Sequence, residues 1–458
     1  MTAHSTALVV GGGISGLVCA YSLRKAGVDA QLLESSSRPG GVIRSERRNG
    51  FLLELGPQSF SGTAPLLELC RNLGIDGQLV QAPPRAPRYV LVGGVLRKVP
   101  LSPPAFFASS LFGAATKGSV LRDLFGTSQP PEQDESVATF VRRKFSGELL
   151  EKLVGPFVSG IYAGDPEQLS LRAAFSQLHE AEKSAGSIIR GMLRTAKAKK
   201  GPRERPSLLS FREGNETLVR ALATRLGPAL RCGVEVTGIR LGSGGAAGKF
   251  EVRFTEGGRE EVIGAGQLVV AAPTNVASKL LGALDNSFER PLAGIGYAPV
   301  AIVSLAYRKS DVGHTLEGFG FLVPRSAGLE MLGSVWNSSL FPNRAADGKV
   351  LLTSFVGGAT NPQAVTSSSE ALTSLVHREI APVLKLRQEP MFSNVEIYQR
   401  AIPQYNLGHG ERLAALEALR AKYPGLWLAG NYLRGPAIGA CVEQALAVAG
   451  EIAKRVSK

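Results

Sequence analysis

At 458 residues, with 44% hydrophobic and 20% charged side chains, the chain is neither disordered nor collagen-like, and it can fold into two or three lobes around a sizeable core. Fifty-two Lys and Arg against 38 Asp and Glu give a formal charge of +14, which favours a membrane surface, nucleic acid or an acidic small molecule as partner, with an inert basic surface as the plain alternative. The four cysteines, Cys19, Cys70, Cys232 and Cys441, lie far apart without CxxC or metal-type spacing and read as reduced thiols of a cytoplasmic protein.

A strand is predicted from Ala7, too near the N-terminus to leave room for a signal or transit peptide. "ALVVG", the spacing Gly11-x-Gly13-x-x-Gly16, a helix over 15–26 and the strand "DAQLLES" together read as one βαβ unit. Each glycine has a purpose there: a tight turn, close approach of backbone to a pyrophosphate, and close helix–strand packing. Glu34 ends the second strand, where an acid accepts hydrogen bonds from ribose hydroxyls.

From Pro83 the composition shifts through "QAPPRAPRYVLVGGVLRKVPLSPP" into mostly helical sequence, which reads as a second domain inserted into the first. Helix patterns cover 135–155 and 167–200, and eight basic residues against Glu204 alone lie between Gly186 and Arg212. The longest apolar run here, "PAFFASSLFGAA", falls short of the ~18–20 residues that cross a bilayer. Strands return at "CGVEVTGIRL", "KFEVRF" and "QLVVAAP" as a meander, then at "APVAIVSLAYR", "GFGFLVP" and "KVLLTSFVGG" with the helix "SSEALTSLVHREIAPVL" as a mixed-sheet region. The chain closes on the strand "LWLAG", the glycine turn "NYLRGPAIG" and an apolar helix, repeating the design of the N-terminus. Pro436 suits a first helical turn, where its missing N–H is spared.

Beyond Glu34, "RPGGVIR" adds Gly40, Gly41 and Arg44, and "LELGPQSF" adds Gly56 and Pro57. With these turns the chain resembles the FAD-dependent amine-oxidase-like superfamily. The resemblance implies FAD held by Gly11, Gly12, Gly13, Ile14, Ser15 and Gly16 at the diphosphate, with Glu34 and Ser35 at the ribose. Arg44 would stand near the diphosphate with Gly41 and Val42, and Gly56, Pro57, Gln58 and Ser59 beside the isoalloxazine ring. Val236, Asn431, Pro436, Ala437 and Ile438 complete the cofactor set, the last helix pointing its N-terminus at the flavin pyrimidine, where charge builds on reduction.

Within that superfamily the chain resembles the protoporphyrinogen oxidases along nearly its whole length, through "LLESSSRPGGVIRS", "RYVLVGG", "GIYAGDPEQLS", "GFGFLVP", "SSLFPNRA", "FVGGATNP", "IPQYNLGH" and "LAGNY". Two departures are Gln58, where many relatives carry Asn, and Pro436, where a small or β-branched residue is usual. The resemblance implies that Arg88 pairs with a propionate of the tetrapyrrole, as its planar fork suits a carboxylate. Leu322, Val335 and Phe355 would wall the macrocycle, with Gly164 also at the substrate; without the resemblance the three apolar residues read as core and Arg88 as a surface residue.

The implied reaction is oxidation of protoporphyrinogen IX to protoporphyrin IX in haem biosynthesis by repeated rounds, in each of which a hydride leaves a bridging carbon for flavin N5, a pyrrole nitrogen loses a proton, and oxygen reoxidises the flavin with release of hydrogen peroxide. The five histidines, His4, His179, His314, His377 and His409, have neither metal nor triad spacing, so neither a metal nor a catalytic base is assigned. His409 reads as a capping or surface residue. Coproporphyrinogen III is the nearest alternative substrate. An amine oxidase and a flavin-free interaction protein on the same scaffold are the more distant readings.

The expected fold class is α/β and α+β. A Rossmann-like FAD-binding domain takes 1–83, 207–275 and 425–458, a mixed-sheet substrate domain takes 84–93 and 276–424, and a helical, membrane-facing domain takes 94–206. The apolar and basic stretches of that insertion could rest on an anionic leaflet, or be a solvated basic helix end. Nucleic acid is not expected, since no aromatics interleave the basic run. A homodimer is compatible with this reading.

Overall fold

The computed structural model describes residues 3–198, 208–244 and 248–457. The last part of the basic run, 199–206, lies outside the described residues.

The first sheet has at its centre the strands Ala30–Glu34, Ala3–Val10 and Arg259–Val270, all parallel, with Leu426–Leu428 parallel to the last of them. Gly248–Glu256 and Val234–Gly244 extend it as an antiparallel meander. The first strand begins at Ala3 rather than Ala7, because Ala3 already pairs with Ile263, a partner 260 residues away that no local pattern reveals. Val10 is level with Val270, and Val270 with Leu428, so the N-terminal and C-terminal glycine turns leave one edge of one sheet. The helices that follow them, Ile14–Lys25 and Ile438–Val456, share a core in which Leu17, Val18 and Ala20 join Val442, Ala445 and Ala449. The two ends of the chain resemble each other because they are neighbouring βα units.

The second sheet runs in the order Phe392–Pro403, Tyr297–Arg308, Lys349–Gly357, Met331–Val335, Gly320–Leu322, Arg88–Val92, Val95–Lys98. It is mixed, since Gly320–Leu322 and Arg88–Val92 are parallel and the other pairs antiparallel. Alternation along each strand sends Val303, Leu305, Leu352 and Val356 to one face, where the helix Ser369–Leu384 covers them with Leu372, Val376, Ile380 and Leu384. The other face carries the candidate site, beside a stretch where Ala306 and Leu351 are covered by Phe51, Leu53 and Leu55.

In sequence between Val95–Lys98 and Leu208–Phe211 the described part of the insertion is helical, but the two long helix patterns are divided. The first divides into Val137–Lys144 and, after Ser146 caps a new turn, a π-helical turn Leu150–Val154 that continues as Gly155–Tyr162. The second divides at Phe175, whose backbone leaves the helical region, and at Gly186, with φ of +64°. Charge holds the pieces together: Arg143 reaches Glu135 at 2.6 Å and Glu182 at 2.8 Å, and Lys144 reaches Asp123 at 2.7 Å. Among the described residues no helix is long and apolar enough to cross a membrane.

Candidate active site

The first strand ends at Val10 and the chain turns on Gly11, whose φ of +105° suits glycine. A Cβ on Gly16 would fall 1.9 Å from the Gly11 carbonyl oxygen, so glycine lets the helix sit directly on the turn. Gly13 caps that helix without a side-chain hydrogen bond, the first turn holds no acid, and nothing stands within 4 Å of where a Gly13 Cβ would be. Ile14 and Ser15 begin the helix. Its N-terminus therefore offers uncapped N–H groups and a positive dipole end to an anion. The Glu34 carboxylate accepts from the Gly12 N–H at 2.5 Å and the Ser36 N–H at 2.7 Å, at the rim of the same turn, beside exposed Ser35.

The second and third glycine turns close on this cradle. The Gly40 N–H donates to the Gly12 carbonyl at 2.8 Å, and a Cβ on Gly41 would lie 3.6 Å from Gly13. A Cβ on Gly56 would fall 1.9 Å from the Val42 carbonyl oxygen, and the Leu55 N–H donates to the Arg44 carbonyl at 2.9 Å. Arg44 is half-buried and pairs with Glu46, which also pairs with Arg48. Burial raises the Glu46 carboxyl, but its bonds to Arg48 and Arg44 outweigh this and hold it below the usual range. Pro57 has its carbonyl held by the Asn215 side-chain N–H at 2.7 Å, and Ser59 is half-buried beside it in sequence. Val236 lies behind the cradle, packed on the core that contains Val10 and Leu33.

At the C-terminal turn, Asn431 accepts from the Tyr405 hydroxyl at its carbonyl, at 2.6 Å, and from the Tyr297 hydroxyl at its side chain, at 3.3 Å. The helix starts at Ile438 with Ala437 as N-cap, so Pro436 lies ahead of the cap and not in the first turn as expected. Ala437 is extended, with ψ of 146°, which delays the helix and leaves Pro436 to stiffen the turn after Gly435. This helix, too, has no side-chain cap and no acid in its first turn.

On this other face of the second sheet, strand register aligns Arg88, Gly320, Val335 and Thr353 in one row, and Val90, Leu322, Gly333 and Phe355 in the next. The sheet thus brings Arg88, Leu322, Val335 and Phe355 together on one face. Gly333 stands between Leu322 and Phe355 and Gly320 between Arg88 and Val335, so each row dips where a side chain is missing. Leu322, Val335 and Phe355 are half-buried, not the closed core residues that hydrophobicity alone implies. Arg88 is exposed, lies 5.5 Å from the Phe319 ring centroid, and has no ion pair among the described residues. The helix Gly155–Tyr162 overlies this face: a Cβ on Gly160 would fall 2.6 Å from Leu322 Cδ2. Gly164 follows it, buried under Gln404, and joins the face through the Ala359 N–H bond to the Ala163 carbonyl at 2.7 Å.

Three features escaped sequence reasoning. Arg344 crosses from the second sheet to Glu54, 3.2 Å away, both being almost fully buried. Asn337 crosses to Gln58 at 2.7 Å. His409 opens a helix but is 1% exposed and stacked on Tyr405 at 4.3 Å, so it is not a surface residue; burial, then nearby Arg412, pushes it down to about 4 and keeps it neutral. "SSLFPNRA" carried the signal for Arg344, a charged residue in an otherwise apolar and small-residue segment. Among the described residues no group of three or more His, Cys, Asp or Glu is placed to hold a metal.

The sequence profile of the flavin containing amine oxidoreductases matches residues 14–453. The chain belongs to that family. It is 37% identical to protoporphyrinogen oxidase 1, chloroplastic, of Arabidopsis thaliana, over 100% of this chain and 89% of the relative. It is 28% identical to coproporphyrinogen III oxidase of Bacillus subtilis, over 95% of each. A solved structure from Exiguobacterium sp. 255-15, assigned as a protoporphyrinogen oxidase, superposes with a TM-score of 0.82 at 26% identity, covering 99% of this chain and all of that one. The protein is an FAD-dependent oxidoreductase. The cradle fits that cofactor, for the Gly11–Gly16 contact and the open space at Gly13 leave backbone where a diphosphate needs it.

Proposed function

We propose that this flavoenzyme oxidises protoporphyrinogen IX to protoporphyrin IX in haem biosynthesis. The observation that carries the reading is the face on which Arg88, without an acidic partner among the described residues, borders an apolar row of Leu322, Val335 and Phe355. A flat apolar macrocycle with a carboxylate at its rim suits that combination of a bidentate cation and glycine-hollowed rows. The names of the relatives point to the same substrate class.

In this reading FAD is held by Gly11–Gly16, Glu34, the turns at Gly41–Arg44 and Gly56–Ser59, and the N-terminus of the last helix. When bound it supplies the hydride acceptor, and oxygen takes the electrons onward with release of hydrogen peroxide. The chain's own contribution is binding and orientation. Arg88 fixes the rim of the macrocycle, the apolar face excludes water from the bridging carbons, and the uncapped N-terminus at Ile438 favours negative charge developing next to it. The sheets divide the labour as a cofactor domain (1–83, 207–275, 425–458) and a substrate domain (84–93, 276–424).

The helical insertion, 94–206, is the part we assign to a membrane surface. Exposed Leu101, Phe107, Phe125, Met192 and Leu193 all lie in it, Phe125 being 80% exposed. In its described part, Arg190 is occupied by the Leu124, Gly126 and Ala185 carbonyls and serves the fold. The second substrate reading, coproporphyrinogen III, is favoured by the charge of +14 and by the relative of that name. Porphyrin fluorescence, followed with each porphyrinogen in turn, compares kcat/KM for the two. Higher kcat/KM with coproporphyrinogen III would transfer the assignment, and no porphyrin from either would end it.

A further inference from the structure

Gln58 is 8% exposed and every polar atom of its side chain is engaged. Its Nε2 donates to the carbonyls of Glu54, at 3.0 Å, and Gly56, at 2.9 Å. Carbonyls only accept, so these bonds fix which end of the amide is which. Oε1 must then face Asn337, and accepts from its Nδ2 at 2.7 Å. The same logic fixes Asn337: its N–H group is turned to Gln58, and Oδ1 is turned away. Asn337 is 2% exposed, and its Oδ1 has no donor among the described residues. A buried acceptor without a donor is costly, so the bond to Gln58 is the side-chain hydrogen bond that holds Asn337 in this place.

The two residues belong to different halves of the site. Gln58 follows Gly56 and Pro57, the turn laid against Val42 beside the cradle. Asn337 opens the short helix Asn337–Leu340 directly after the Met331–Val335 strand, which carries Val335 on the substrate face. Their bond spans 279 residues of sequence and joins the substrate sheet to the cofactor turn. An asparagine at position 58 is one methylene shorter, too short to hold the Glu54 and Gly56 carbonyls and Asn337 in the same way.

We propose that Asn337 is a positioning residue for the flavin. Through its bond to Gln58 it sets where the Gly56–Pro57 turn stands against the isoalloxazine ring. The inference rests on FAD binding and is independent of which porphyrinogen is oxidised.

The test uses Asn337→Ala, Gln58→Ala and the double variant. Apoprotein is titrated with FAD, and the visible spectrum and reduction potential of the bound flavin are recorded alongside the melting temperature of the apoprotein. Asn337→Ala is expected to weaken FAD binding about tenfold, ~1.4 kcal/mol, and to shift the flavin spectrum or potential. The double variant is expected to bind FAD no more weakly than the worse single one, because both act through one bond. Asn337→Asp, which keeps an acceptor but cannot donate to Gln58 when ionised, is expected to alter the flavin spectrum as well. An unchanged FAD affinity and spectrum in Asn337→Ala, with only the melting temperature lowered, would overturn the proposal, as would additive losses in the double variant. Should Asn337→Ala not fold, Gln58→Asn decides the same question: an unaltered spectrum and affinity there also overturn it.

Discussion

Replacing Arg344 with methionine should weaken the protein more as the pH rises. Arg344 leaves the connection between the Met331–Val335 and Lys349–Gly357 strands and enters the cofactor half, where its Nη2 reaches Glu54 Oε1 at 3.2 Å and Ser210 Oγ at 2.5 Å. Glu54 also accepts from the Ser45 hydroxyl at 2.6 Å and the Asn215 N–H at 3.0 Å. Burial pushes its carboxyl up from 4.5 to about 7, against the pull of Arg344, Ser45 and Asn215. Between those values the folded state holds a proton that the unfolded state has lost. The stabilisation is thus complete below pH 4.5 and is lost as pH rises through about 7, a change of ~3 kcal/mol at 1.36 kcal/mol per unit. Methionine fills similar volume but removes the positive charge that offsets the buried carboxylate, at a cost of about 3–5 kcal/mol when Glu54 is ionised. Melting temperatures of wild type and Arg344→Met at pH 5, 6, 7 and 8 should diverge with pH, and Glu54→Gln added to Arg344→Met should recover part of the loss at pH 8. A gap that is constant or narrows with pH, or a double variant no more stable than Arg344→Met, would refute this reasoning.

Gly16→Ala places a Cβ where the Gly11 carbonyl already stands, 1.9 Å away, so the purified variant should be colourless; a normal flavin spectrum would show that the turn relaxes and does not depend on that glycine. Arg88→Ala should raise KM at least tenfold with a smaller effect on kcat, since a charged hydrogen bond of about 1.5–3 kcal/mol is lost in ground state and transition state alike, and unchanged kinetics would remove Arg88 from the site. In Glu182, burial raises the carboxyl but its bonds to Arg143 and Ser128 hold it down to about 2, so its stabilisation is present above pH 4.5 and is lost as pH falls through 2. The melting-temperature difference between wild type and Glu182→Gln should accordingly shrink from pH 6 to pH 3; a difference that grows would reverse the sign assigned here. Phe125→Ser with Met192→Ser should reduce co-flotation with phosphatidylglycerol vesicles, and equal flotation would move the membrane contact elsewhere.

The first glycine turn is legible in the sequence because strand, turn and helix are contiguous there. Gly16 is a glycine since a Cβ would strike the carbonyl oxygen of Gly11, five residues before it, and Glu34 falls at the end of a strand whose length the apolar run sets. The later cofactor turns, with Arg44 and Gly56, and the four substrate-face residues came from resemblance. The joint position of those four depends on register among strands that no single segment encodes. Pro436 was misplaced because the helix start is decided by the extended backbone of Ala437, not by proline's own preference. The long helices of the insertion were overdrawn because the breaks at Ser146, Phe175 and Gly186 follow from packing and buried charge. Arg344 with Glu54 and Asn337 with Gln58 join positions 290 and 279 residues apart, a separation at which pattern and propensity carry no information.

Anaerobic mixing of the FAD-loaded protein with protoporphyrinogen IX tests the central claim most directly. The flavin absorbance near the visible maximum should bleach as substrate is consumed, return when oxygen is admitted, and leave protoporphyrin fluorescence behind. A flavin that stays oxidised in the presence of both protoporphyrinogen IX and coproporphyrinogen III would contradict the account.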